Sequence, residues 1–416
     1  TGKTRTVLGM MYRFLKSGRF RRILFLVDRN ALGTQALDVF KDVKLEELHP
    51  LNDIYTISGL TDKVIDKETR VHVATVQGMV KRILYSEDSE SMPSVTDYDL
   101  IIVDEAHRGY ILDREMTDAE QLYRDQRDYQ SKYREVIDYF QAVKIALTAT
   151  PVLQTTQIFG PPVFSYSYRE AVIDGFLVDY DAPHQLRTTL SEQGIHYKPG
   201  DTVAIYDPVT GEVVNSEQLE DELDFDVEDF NRTVINENFN REILREIAKD
   251  IDPEDIFSGK TLIYAVNDHH ADMIVRILKE IYADELVDVD AVMKITGSIG
   301  NRKNIDDAIR RFKNESLPGI VVTVDLLTTG IDVPEITRLV FMRRVKSRIL
   351  FEQMLGRATR LCPYIRKTHF EVYDAVGLYS VLEPLTTMKN RWSAIPQPRS
   401  PSFWTGWQSW RRLRRF

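Results

Sequence analysis

Apolar positions in this chain come in short unbroken runs rather than in strict alternation with polar ones. The first such runs are Ile23–Val27, Val71–Thr75, Leu100–Val103 and residues 143–147, each separated from the next by helix-like sequence. A strand buried on both faces reads this way, so the pattern predicts a parallel sheet with crossover helices on both sides, an α/β architecture. The same rhythm returns at residues 260–265, 291–295, 319–323, 338–342 and 369–373. Between the two series, turn signals at Gly200-Asp201, Asp207-Pro208 and Thr210-Gly211 break it. The expected organisation is a first lobe over 1–168, a connection with a small β insertion over 169–238, a second α/β lobe over 239–375, and a C-terminal region over 376–416.

Such sheets bind ligands at the carboxyl ends of their strands. Those ends carry polar residues here: Asp28-Arg29-Asn30, Thr75-Val76-Gln77, Asp104-Glu105 and Thr148-Ala149-Thr150.

Composition changes this picture little. The chain has 416 residues, 43% hydrophobic and 28% charged, which is ordinary for a globular protein. No apolar stretch reaches the ~18 residues of a membrane span, and no secretory signal opens the chain. A single cysteine, Cys362, rules out an internal disulfide and fits a cytoplasmic protein. The net charge of −10 argues only weakly against a nucleic-acid partner, because eight carboxylates crowd into Glu217 to Asp229 and read as a solvated linker or surface helix.

Both ends are unusual. Thr1-Gly2-Lys3-Thr4, followed by a helix-like run, is the second half of a phosphate-binding loop, G-x-x-x-x-G-K-[ST]. The chain is therefore expected to be a truncated fragment. All four tryptophans fall at Trp392, Trp404, Trp407 and Trp410, beside an arginine run. A non-native, frameshifted tail after about Asn390 is expected, with a basic nucleic-acid-binding tail or a partner-binding segment as the alternatives.

The strongest chemical element is the strand Leu100–Val103 closed by Asp104 and Glu105. Adjacent carboxylates at a strand end suit phosphoryl transfer: Asp104 would hold Mg²⁺ and Glu105 would orient and deprotonate water. Lys3 would contact the phosphates, and Thr4 would give its hydroxyl to the metal. Gln353, Arg357 and Arg360 stand at i, i+4 and i+7, which on a helix is one face, and the two guanidiniums would serve as arginine fingers. Gly356 inside that pattern suggests close approach. His269-His270 lacks further metal ligands at useful spacing and reads as surface or capping histidines.

Gly2-Lys3-Thr4, Asp104-Glu105-Ala106-His107, Thr148 to Pro151, Thr323 to Pro334 and Gln353 to Arg360 follow the order of motifs I, II, III, V and VI of DEAH-type superfamily 2 helicases. Over residues 1–375 the chain resembles that superfamily. Asp104 to Gly109, Tyr168 to Asp179, Leu219 to Asn231 and Val372 to Tyr379 are similar to the restriction (R) subunit of type I restriction-modification enzymes.

The resemblance implies two RecA-like lobes with a nucleotide cleft between them, ATP and Mg²⁺ as cofactors, and translocation on double-stranded DNA. It also implies methyltransferase and specificity subunits as partners in a parent complex. Thr148 and Thr150 would couple the ATP state to lobe movement. Gly2 would help cradle phosphate, and Gly330 and Asp332 would line the cleft. Arg29, Thr75, Gln77 and Thr323 would lie along the nucleic-acid track. No nuclease site is expected in this stretch. Two alternatives stay open: a superfamily 2 repair or RNA helicase, and an inactive fragment that only binds DNA.

Overall fold

The computed structural model describes residues 2–27, 30–46, 49–60, 62, 65–85, 92–106, 133–149, 153–186, 195–197, 204–206, 213–215, 223–225, 235, 237–283, 286–298, 300, 302–324, 332–345, 348–382, 386 and 388. Two parallel sheets follow one another, as the apolar runs predict. The first has strands β1 (Ile23–Val27), β4 (Ile57–Ser58), β5 (Val71–Thr75), β6 (Leu100–Val103) and β7 (Val143–Ala146), in the order β4-β5-β1-β6-β7. Every pairing in it is parallel. A small antiparallel pair, β2 (Lys44–Glu46) and β3 (His49–Pro50), sits outside it.

Alternation along β1 shows why the runs are unbroken. Ile23, Phe25 and Val27 join one core with Val7, Leu8 and Met11 of the helix Lys3–Lys16. Leu24 and Leu26 face the other way, onto Met79 and Ile83 of the helix Val76–Leu84 and onto Val136 and Ile137. Both faces are dry, so neither tolerates polar positions.

Within the connection, β8 (Asp179–Tyr180) and β9 (His184–Gln185) do not stand apart. Both pair in parallel with β18 (His369–Asp374), so the chain attaches to the second sheet before it builds it. The expected β insertion is present as two antiparallel pairs: β10 (Ile195–Tyr197) with β13 (Leu223–Phe225), and β11 (Ala204–Tyr206) with β12 (Val213–Asn215). Apart from β13, the acidic run lies outside the described residues, as does the Trp-rich tail.

The second sheet is completed by β14 (Lys260–Tyr264), β15 (Val292–Lys294), β16 (Ile320–Thr323) and β17 (Ile336–Phe341), in the order β15-β16-β14-β17-β18-β8. Leu262, Val321 and Leu339 fill one face and Ile263, Val322 and Val340 the other. Close backbone approach sets one corner. A Cβ on Gly319 would fall 1.9 Å from the Pro253 carbonyl oxygen, so only glycine fits there. No helix among the described residues is long and apolar enough to cross a membrane.

Candidate active site

The helix Lys3–Lys16 begins at Gly2, whose φ of 76° lies in the left-handed region open to glycine. Thr6 N–H donates to the Gly2 carbonyl, which starts the helical ladder. The first turn has no acidic residue, and Gly2 supplies no side-chain cap. The N–H groups at this helix start therefore meet no protein anion of their own turn, and the helix dipole favours an anion there.

The Asp104-Glu105 corner closes on this helix start. Asp104 N–H donates to Leu26 O at 2.9 Å, and Ala106 N–H donates to Leu147 O at 3.0 Å, so the loop is fastened to β1 and to the residue after β7. Between these anchors Glu105 adopts φ 49°, a left-handed conformation uncommon for a non-glycine residue. Asp104 Oδ1 accepts from Glu105 N–H at 2.9 Å and holds the turn. Such backbone conformations concentrate where function over-determines the local structure. The result is an ion pair: Lys3 Nζ lies 2.5 Å from Glu105 Oε1, with both side chains mostly buried.

The second lobe brings its arginines differently from the sequence expectation. The helix Arg348–Leu355 ends before Arg357, so Gln353, Arg357 and Arg360 do not share one helical face. Gly356 disfavours helix, and the chain leaves through tight turns: Arg357 N–H donates to Met354 O and Ala358 N–H to Leu355 O, each at 3.2 Å. Arg357 folds back so that its Nε donates to Gln353 O at 3.2 Å. Burial pulls the Arg357 guanidinium below the usual arginine pKa, while Tyr264, Glu105 and Asp332 act to raise it and Arg360 to lower it. Glu105 belongs to the first lobe, so Arg357 stands within electrostatic reach of the carboxylate that holds Lys3. Arg360 Nε lies 2.5 Å from Asp332 Oδ1. Arg360 also forms a β-bridge with Leu177 of the connection, and Val178 N–H donates to Thr359 O at 2.8 Å.

Other expected site residues separate. Thr75 caps the helix Val76–Leu84, its Oγ1 accepting from Gly78 N–H at 3.0 Å. Gln77 is exposed in that helix's first turn, and Thr148 is half-buried just past β7. Thr323 is fully buried at the end of β16, so its side chain is not offered to a nucleic-acid track in this arrangement. The reason is that Thr323 completes an interior strand covered on both faces. Arg29, Thr150 and Gly330 lie outside the described residues.

His269 is exposed, whereas His270 is fully buried. His270 Nδ1 accepts from Val266 N–H at 3.1 Å and its Nε2 lies 3.1 Å from Asn240 Oδ1, which assigns the neutral Nε2–H tautomer. Both ring nitrogens are thus engaged by protein groups, and the ring braces the turn after β14. No group of three or more His, Cys, Asp or Glu side chains that could hold a metal occurs among the described residues.

Sequence reasoning missed Tyr264, Arg343 and Glu352. Tyr264 is fully buried and donates its hydroxyl to Met354 O at 3.2 Å, under the arginine turn. Arg343, 4% exposed, donates to Val324 O at 3.4 Å, immediately before the segment that carries Gly330. The polar pair Arg343-Arg344 directly after an apolar strand was the only sequence signal for it.

Two family models match the chain: the type III restriction enzyme res subunit over residues 1–153 and the helicase conserved C-terminal domain over 240–362. The EcoKI endonuclease subunit of Escherichia coli K12, a type I restriction enzyme, is 51% identical over 392 residues, covering 94% of this chain and 33% of that protein. The EcoAI endonuclease subunit of Escherichia coli is 31% identical, over 90% of this chain and 42% of that protein. This chain thus spans a third to two-fifths of these relatives. In fold, it is similar to an HsdR fragment of a type I restriction enzyme from Vibrio vulnificus YJ016, with a TM-score of 0.62, 23% identity, and coverage of 94% of this chain and 61% of that one. Saccharomyces cerevisiae Dbp5, solved with RNA and ADP BeF3, shares the two-lobed fold at a TM-score of 0.54 and 15% identity, over 99% of this chain and 85% of that one.

Proposed function

Because this chain carries a superfamily 2 helicase motor of the kind found in type I restriction endonuclease subunits, we propose that it hydrolyses ATP to move along double-stranded DNA. The observation that carries the reading is the Lys3–Glu105 ion pair between a helix start and a strand end, with Arg357 of the other lobe within electrostatic reach of that carboxylate. Each is a group that phosphoryl transfer needs at one place: a cation for the phosphates, a base for water, and a second cation for the charge that develops.

In this reading the uncapped helix start at Gly2 receives the ATP phosphates. The incoming γ-phosphate competes with Glu105 for Lys3. Lys3 moves to the phosphate, and the released Glu105 carboxylate takes its place beside the attacking water. Asp104 and Thr4 are the residues that would hold Mg²⁺. A carboxylate and a hydroxyl are hard oxygen donors of the kind that ion takes. When bound, Mg²⁺ neutralises phosphate charge. Arg357 and Arg360 approach from the second lobe, with Arg360 released from Asp332. Loss of the γ-phosphate withdraws their common partner and lets the lobes part, a switch of the order-and-release type. Alternate gripping of the DNA backbone would turn each cycle into a step, with little sequence preference and strong salt dependence. Methyltransferase and specificity subunits belong to the proposal as partners of a longer parent subunit.

ATP turnover measured without nucleic acid, and with duplex DNA, single-stranded DNA or RNA, tests this. Stimulation by duplex DNA that disappears in Glu105→Gln is expected. Stimulation chiefly by RNA or single strands would replace the reading with that of a strand-separating helicase. No turnover under any condition would reduce the chain to a binding fragment.

A further inference from the structure

The helix Arg348–Leu355 carries a buried carboxylate that the site described above does not use. Glu352 is 4% exposed and sits next to Gln353 in sequence. A buried carboxylate is costly unless its charge is met by partners. Its partners include Arg348 Nη1 at 3.4 Å one turn earlier and the hydroxyl of Thr386, which donates to Oε1 at 3.1 Å. Thr386 is itself 3% exposed, lies beyond the last strand of the second lobe, and comes 34 residues after Glu352.

The chain around Thr386 is fastened independently. Asp374 ends β18 and accepts from the N–H groups of Val376, Leu378 and Tyr379, which orients the short helix Leu378–Leu382. Thr386 N–H donates to Leu382 O at 2.9 Å, and Met388 N–H donates to Thr386 Oγ1 at 3.1 Å. Met388 O accepts from Tyr180 of β8 at 2.6 Å. Leu378 and Leu382 share one core with Leu350, Phe351, Met354 and Leu355. The described residues after β18, the helix Leu378–Leu382 with Thr386 and Met388, therefore tie the helix that leads into Arg357 to β8, and Thr386 hydrogen-bonds Glu352 on that helix.

We propose that Glu352 is a positioning residue for the Arg357–Arg360 turn, and that Thr386 sets it, so that the chain following the second lobe controls where the arginines stand. This rests on the reading of those arginines as phosphate-facing groups. The turn begins five residues downstream of Glu352 and has little helix of its own to fix it, since the helix stops at Leu355. A rotation or slide of the helix would carry Arg357 with it through the Arg357–Gln353 hydrogen bond. Force applied at Thr386 from beyond residue 388 would reach the cleft by this route.

The test compares Thr386→Val, Thr386→Ser and Glu352→Gln with the unaltered chain by amide hydrogen exchange and by ATP turnover. Thr386→Val keeps the shape and removes the donor. Exchange over residues 348–361 is expected to rise about tenfold, the size of one hydrogen bond to a charged group, with exchange in β14 unchanged. Thr386→Ser restores the wild-type pattern. Turnover in Thr386→Val falls about tenfold in kcat with KM for ATP within about twofold, as for a displaced group that acts only in the transition state. Unchanged exchange over 348–361 overturns the proposal, and so does exchange that rises equally in β14, which would make Thr386 a general stability residue. Absence of turnover in the unaltered chain sinks the ATPase reading instead, while exchange still decides the Thr386–Glu352 link.

Discussion

The ammonium of Lys3 and the carboxylate of Glu105 are 2.5 Å apart in the fold and 102 residues apart in the chain. In the proposed reading each holds the other back, since Lys3 would have to leave Glu105 to reach a phosphate and Glu105 would have to leave Lys3 to act as a base. Arg360 and Asp332 repeat the arrangement on the second lobe, also at 2.5 Å. Two of the charges that would act on a nucleotide in the proposed reading are thus held by internal partners, which a bound phosphate would displace.

Glu105→Gln separates binding from chemistry. Glutamine fills the same space and keeps an oxygen for Lys3 to donate to, so stability should change by only about 1 kcal/mol. Removing a general base is expected to lower ATP turnover by at least about 10²-fold. Binding of a fluorescent, non-hydrolysable ATP analogue should persist or tighten, because Lys3 no longer has an ionised competitor. Analogue titration beside a turnover assay checks both halves, and retained turnover would remove Glu105 from the base role.

Arg360→Ala should reduce turnover by about 10³-fold, in the range of an arginine finger. The thermal midpoint should hardly move, since both partners of the Arg360–Asp332 pair are about 40% exposed. Arg360→Lys keeps the charge but loses the fork, so it should recover only a small part of the rate. A turnover loss matched by a large fall in the thermal midpoint would point to a structural role.

Gly319→Ala addresses the residue directly before β16, outside the motifs. The added methyl would collide with the Pro253 backbone, which has no side-chain freedom to yield. Destabilisation of about 2–3 kcal/mol is expected from the forced backbone shift. Urea unfolding followed by circular dichroism reads this directly, and an unchanged midpoint would mean that the corner relaxes freely.

His270 makes the second lobe acid-sensitive. Burial, with a smaller contribution from His269, holds its pKa down from 6.5 to about 3. Between those values the unfolded chain binds a proton that the folded lobe refuses. Stability therefore falls as pH drops from 6.5 towards 3, by about 1.4 kcal/mol per unit for this group. His270→Gln removes the titration, so its stability should fall less steeply with acid over that window, although it starts lower at neutral pH. Parallel slopes for the two proteins would refute the assignment. His72, whose pKa burial also lowers to about 3, adds a slope of the same sign from the first lobe.

Much of the fold was legible along the chain. Strands covered on both faces are mostly apolar, with the few buried polar side chains, such as His72 of β5 and Lys260 of β14, hydrogen-bonded inside, so β1, β5, β6, β14 and β16 read as nearly continuous runs whose ends could be read within a residue or two. Asp104-Glu105 was legible for the opposite reason: ionisable residues directly after such a run must leave the core, and in a parallel sheet they leave it at the ligand-binding edge. The helix Lys3–Lys16 also follows from its own spacing of apolar residues.

Only the tertiary structure decided how those ends meet. The i, i+4, i+7 spacing of Gln353, Arg357 and Arg360 suggested one helical face, yet the helix stops at Leu355 because Gly356 weakens it and the connection claims the next residues through Val178–Thr359 and Leu177–Arg360. The two-residue strands β8 and β9 carry too little apolar sequence to announce themselves, and they exist because β18 offers them an edge. Thr323, polar and at a strand end, looked available to a ligand but is covered by neighbouring elements. Glu352 and Thr386 have no sequence signature as a pair, because the hydrogen bond between them depends on packing across 34 residues. Local pattern determined which elements form and which ends carry chemistry, since burial acts on each residue's own neighbours. Long-range packing determined which charges face each other, since Coulomb and hydrogen-bond energies depend on distances that only the folded chain sets.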